Sequence, residues 1–209
     1  IHLEFFWYIP IILGIMVVSG AAGLIAKKEE DGTLEVVISQ PISRTAVFWG
    51  RLLALVVSLV LILFITWAGF ALGLELTESI DLEMDQLILP FISLLAVLLV
   101  FMGLALLFSM VFSGSGNASL TAGLILVASY FVTSLANLDE KLEGINRFSP
   151  LKYYQGGGAV DGLEGQSLFL LFGLSLIFLL LAWVIFLKRD LRFGGSGGLR
   201  LGLLHKKKN

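Results

Sequence analysis

The chain contains no cysteine among its 209 residues, and its two histidines, His2 and His205, lie near opposite ends. Disulfides, thiolate nucleophiles and thiolate metal ligands are therefore excluded, and no histidine pair has metal-ligand spacing. Charge is also scarce. Asp, Glu, Lys and Arg make up 14% of the chain, against about 25% in an ordinary soluble domain. No Gly-x-x-x-x-Gly-Lys-Ser/Thr phosphate loop is present, and Gly114-Ser115-Gly116-Asn117 lacks both the spacing and the lysine to hold phosphates, so the chain should not bind ATP itself. Nucleic acid is not expected as a partner.

What the chain has instead is five uninterrupted apolar stretches, 5–26, 52–74, 87–112, 120–136 and 168–187, with every ionisable Asp, Glu, Lys, Arg and His between or outside them. About 20 residues cross a ~30 Å hydrocarbon core. Four stretches reach that length; the fourth is short and is expected to extend into Ser119 and Asn137. The chain reads as an all-α, polytopic helical membrane protein. No segment between the spans is long enough for an independent globular core. Proton- or sodium-coupled transporters keep ionisable residues within their spans, and these spans carry none. The same poverty disfavours an intramembrane enzyme.

Basic residues set the orientation. If the loop after the first span faces the cytoplasm, eleven of the 14 Lys and Arg residues lie inside, and only Lys141, Arg147 and Lys152 lie outside. The acidic run Glu75, Glu78, Asp81, Glu83, Asp85 then forms an outer loop, and Trp7, Tyr8, Trp49, Tyr153, Tyr154 and Trp183 fall near span boundaries as interfacial aromatics. The first residue is thus outside and the carboxyl terminus cytoplasmic. An outside start without Met leads us to expect one more span upstream, six in the intact protein; a cleaved signal peptide fits less well, because the flank carries Glu4 and no basic residue. The absence of native cysteine makes topology easy to test. Single Cys replacements at Glu78 and Asp161 should react with an impermeant reagent in intact cells, whereas those at Glu35 and Arg192 should not; outside labelling at Glu35 would overturn the orientation.

The inner loop carries the most specific pattern. Lys27-Lys28-Glu29-Glu30-Asp31-Gly32-Thr33-Leu34-Glu35-Val36-Val37-Ile38-Ser39-Gln40-Pro41-Ile42-Ser43-Arg44 is followed by Trp49-Gly50-Arg51 at the second span. Leu34, Val37 and Ile38 share one helical face, with Asp31 or Thr33 as N-cap, and Pro41 ends the helix after about two turns. Ser43 can cap the next helix. Such an amphipathic helix can rest in lipid as a plain connector or dock on a cytoplasmic partner.

The wording of this loop resembles the permease subunits of ATP-binding-cassette exporters of the type-2 class. The segments Arg147-Phe148-Ser149-Pro150-Leu151-Lys152-Tyr153-Tyr154 and Phe186-Leu187-Lys188-Arg189-Asp190-Leu191 are similar to the corresponding later parts of such permeases. The departure is at the start, where the family has an amphipathic cytoplasmic helix and a first span. The resemblance implies a permease domain over residues 1–192 and a plasma-membrane location. It makes loop 29–44 a coupling helix that docks on a nucleotide-binding subunit through Glu29, Glu30, Gly32, Thr33, Leu34, Glu35, Val37, Ile38, Pro41 and Arg44. It further implies a second permease subunit, with ATP and Mg held by the nucleotide-binding partner and no cofactor in this chain. A membrane anchor or sensor that uses the same loop to hold a partner is the alternative.

Residues 137–167 form the outer loop. Its polar start suits a short helix, Phe148-Ser149-Pro150 a break, and Gly156-Gly157-Gly158, Gly162 and Gly165 irregular backbone. The resemblance implies two short helices that dip back to close the pathway, with Phe148, Pro150, Tyr153 and Tyr154 as candidate outer-gate residues; an ordinary surface loop is the other reading. Ser19-x-x-x-Gly23 and Gly69-x-x-x-Gly73 allow close helix approach, either within the subunit or at a dimer seam. Residues 193–209, glycine-rich and then basic, read as a flexible cytoplasmic tail.

Overall fold

A computed structural model describes residues 5–27, 43–75, 84–112 and 114–188. The loop 28–42, which holds most of the expected coupling helix, and the tail 193–209 lie outside the described residues. Five long helices form the fold: α1 (Phe5–Gly23), α2 (Arg44–Glu75), α3 (Met84–Val111), α4 (Ser115–Ala136) and, after a short helix α5 (Glu143–Asn146), α6 (Gly165–Lys188). No strand occurs among the described residues. All five are long and apolar enough to cross a membrane.

The spans are apolar all round, which is what lipid on one side and protein on the other require. Their roles differ in burial. Two-thirds of the α3 window is buried (67%), against 17% for α2 and for α6, so α3 is the central post of the bundle. Ala96, Val97, Leu98, Val100, Phe101 and Met102, which between them cover about two-thirds of the helix circumference, are fully buried. α3 packs against α6, α1 and α4, and α1 against α4. α2 leans on this core at Phe48, Leu52, Leu59 and Leu63 and turns Leu53, Val57, Leu61, Phe64, Ile65 and Leu72 outward.

Span ends differ most from the apolar boundaries in two places. α2 starts eight residues before Leu52, because Ser43 caps it: its Oγ accepts from the Ala46 N–H at 3.2 Å. At 32 residues the helix is about 48 Å long and outreaches the hydrocarbon core at its ends. The short fourth stretch is completed at its amino-terminal side, from Ser115, with Asn137 as C-cap.

Close helix approach uses other glycines than the two spaced pairs. A Cβ on Gly69 or Gly73 would meet nothing within 4 Å, and one on Gly23 only its own Lys27. The close contacts are Gly14 against Leu126 of α4, Gly20 against Leu55 of α2, and Gly103 against Ser175, Phe178 and Leu179 of α6. Three span hydroxyls, Ser58, Thr66 and Ser175, donate to carbonyls of their own helices. Ser109 is different. Fully buried on α3, it donates to the Ala22 carbonyl of α1 at 2.9 Å and ties the two helices together at the end where the chain leaves α1.

Candidate functional site

Two regions concentrate the polar chemistry, one at each end of the bundle. At one end the chain leaves α1 through Leu24 and re-enters at Ser43, and both flanks of the intervening loop are anchored. Ile25 and Ala26 on one side, and Val47, Phe48 and Leu52 on the other, are buried. Arg51 Nη1 donates to the Leu24 carbonyl at 3.1 Å. That carbonyl belongs to the end of α1, where helix carbonyls lack partners and the dipole favours a cation. Phe48 stacks obliquely on Phe186 of α6 with ring centroids 5.6 Å apart, and Trp49 lies 6.0 Å from Trp183. The flanks of the loop thus contact α1, α2 and α6. Of the expected docking residues, Arg44 is the first residue of α2; Glu29, Glu30, Gly32, Thr33, Leu34, Glu35, Val37, Ile38 and Pro41 lie outside the described residues.

At the other end, residues 137–164 fold as a compact plug of short elements, with 3₁₀ turns at Glu140–Leu142, Pro150–Tyr153 and Gly156–Asp161 besides α5. Side chains on the spans hold it. The Gln155 N–H donates to Ser93 Oγ at 3.1 Å. Ser93 lies six residues, about 9 Å, inside the apolar run that starts at Leu87, so the plug reaches well below the helix ends. The Ser149 hydroxyl donates to the Ser129 carbonyl of α4. Thr133 donates to Asn146 Oδ1 and shares a contact with Ser149, each at 2.9 Å, and both partners are buried. Gln155 closes the far side, its amide pairing with the Glu164 backbone in both directions. Backbone at this depth survives because protein satisfies it.

The four outer candidates are placed differently. The Tyr154 hydroxyl donates to the Phe6 carbonyl at 3.0 Å; burial raises its pKa above the ordinary phenol value, so it stays a neutral donor. Gly156, at φ +52°, packs between the Tyr154 ring and Phe6, a conformation open to glycine and strained for other residues. Tyr153 donates to the Arg147 carbonyl, and Pro150 opens the second 3₁₀ turn. Phe148 points away from the bundle, 89% exposed. Lys152 and Glu143 form an ion pair across the plug. The hydrogen bond and charge of Lys152 hold the Glu143 carboxyl below the ordinary carboxylate range, so the pair is intact above that range and is lost only as pH falls through the lowered value.

Sequence reasoning missed Ser93 and Thr133 as the sockets of the plug, Asn146 as the plug side chain that meets Thr133, and Arg51 as a tether. The first three are common residue types without spacing to mark them. Arg51 did carry a signal, a guanidinium at the mouth of an apolar span with no acidic residue beside it in sequence, which directs it to backbone carbonyls. Among the described residues no group of three or more acidic, His or Cys side chains could hold a metal.

A family model described as ABC-2 family transporter protein matches residues 2–191. No curated protein and no solved structure matches the chain.

Proposed function

The chain belongs to the ABC-2 family of transporter proteins, a multi-pass membrane permease, and from that premise we propose that it moves its substrate by alternating access driven by a separate nucleotide-binding subunit. That subunit carries ATP and Mg and docks on the loop 29–44 from the cytoplasm. Closure of the nucleotide-binding pair pushes the loop, the spans tilt, and the cavity between two permease subunits turns from inward to outward. The exposed apolar face of α2, with Gly69 and Gly73 on it, suits a second permease subunit. The carboxyl terminus is cytoplasmic and the membrane is the plasma membrane. One observation carries the reading: both flanks of the loop are locked to the bundle, through Arg51 to Leu24 and through Phe48 to Phe186, so a force on the loop reaches the spans.

Arg51→Met tests this transmission. It keeps length and helix propensity and removes a charged donor to a carbonyl, an interaction worth about 1.5–3 kcal/mol. With the nucleotide-binding subunit co-expressed, permease-stimulated ATP hydrolysis is expected to fall by about tenfold while membrane amounts hold, and Arg51→Lys should recover part of it. A partner that binds the parent chain and shows no stimulated hydrolysis would instead make this a membrane anchor or sensor.

A further inference from the structure

A cavity of about 580 Å³ opens at the outer end, between the first turn of α1, the last two turns of α4 and the plug. That volume is within the usual range for a small-molecule site. Its walls include Phe6, Trp7, Tyr130 and Tyr154, and the charged residues lining it, among those described, are Glu143 and Lys152. We propose that this cavity binds a zwitterion, a ligand with an ammonium and an anionic group a few ångströms apart, such as a phosphoethanolamine headgroup.

Three observations lead there. The two charges that line the cavity are paired, so its lining carries no net charge. Each keeps bonding capacity: an ammonium has three donors and the pair uses one, and a carboxylate has about four acceptor positions. An anionic group fits beside Lys152 Nζ, and an ammonium fits between Glu143 and the aromatic faces, which attract cations. Third, the pair is not needed to hold the plug. Tyr154, Gln155, Ser149 and Thr133 do that, and a solvent-exposed ion pair adds only about 0–1 kcal/mol. Trp7, half-exposed at the start of α1, sits where interfacial aromatics meet lipid headgroups. The cavity belongs to a single chain and goes beyond the coupling reading, so the two stand or fall separately.

The test uses the full chain in a non-ionic maltoside at neutral pH, titrated with glycerophosphoethanolamine by calorimetry. Saturable binding is expected, with glycerol phosphate alone and ethanolamine alone at least about tenfold weaker. Glu143→Gln and Lys152→Gln should each weaken binding by about tenfold or more without moving the melting temperature. Dihexanoyl phosphatidylethanolamine binding about tenfold tighter than the free headgroup would identify a membrane lipid as the source, whereas a dipolar amino acid binding as well as the headgroup would identify a soluble one. The proposal fails if nothing saturates below about 10 mM, if either half-ligand matches the joined one, or if both charge-removing variants bind like the parent.

Discussion

A Val37→Asp permease is expected to reach the membrane in parental amounts and to lose stimulated ATP hydrolysis and transport altogether. Leu34, Val37 and Ile38 line one face of the proposed coupling helix, and three partly buried aliphatic side chains at about 1.5–3 kcal/mol each can grip a groove without slipping. The rim charges Glu29, Glu30, Glu35 and Arg44 contribute less because they stay wet. An aspartate at position 37 places an unpaired charge in that grip, which costs more than the aliphatic contact contributes. The spans and the Arg51 tether are untouched, so insertion is not at stake. ATPase assays of the assembled complex and a quantitative membrane blot decide it. Parental coupling at parental abundance would reduce loop 29–44 to a connector resting on lipid and remove the main support for the transmission mechanism.

The spans were readable because hydrocarbon tolerates no charge, so the apolar runs report membrane thickness directly. They report helix length less well. Continuity of apolar residues ends at Leu52, but the helix continues back to Arg44, since backbone hydrogen bonding does not depend on side-chain polarity and Ser43 provides the cap. The plug shows a different limit. Its glycines suggested irregular backbone, yet Gly156–Asp161 forms a 3₁₀ turn and only Gly156 and Gly162 take a positive φ. What seats the plug is tertiary, with Ser93 62 residues from Gln155 and Thr133 13 residues from Asn146, and no local pattern announces such pairs. Small-residue spacing does not mark the close contacts within the single chain either. Gly69 and Gly73 repeat at the interval that favours close packing and face open space in the single chain, whereas Gly103 has no spaced partner and sits at a crossing where α6 brings its backbone close. Close approach depends on what the opposing helix offers, here a backbone carbonyl.

That crossing sets up the second large effect: Gly103→Leu should prevent the chain from accumulating as a folded membrane protein. A Cβ at position 103 would lie 3.0 Å from Phe178 Cβ, 3.2 Å from the Ser175 carbonyl oxygen and 3.5 Å from Leu179 Cγ. The first two are fixed to the α6 backbone and cannot rotate away. One added methyl already forces the helices apart, so Gly103→Ala is expected to cost about 1–3 kcal/mol, offset in part by the roughly 0.5–1 kcal/mol that alanine gains over glycine within a helix. Leucine adds three more carbons in the same direction and exceeds what the bundle can absorb. Gly14→Ala makes a sharp control: the nearest atom there, at 2.6 Å, is Leu126 Cδ2, the far end of a side chain that can change rotamer, so that variant should melt close to the parent. Gly73→Leu, facing open space, should also fold. Thermal denaturation in detergent orders the four variants, and a Gly103→Leu protein that melts with the parent would show that α3 and α6 are not packed as described. Because α6 carries Phe186 and Trp183 against the base of the inner loop, any Gly103→Ala protein that does fold should also couple poorly. The contact that fixes the core thus also fixes the helix through which the loop would act.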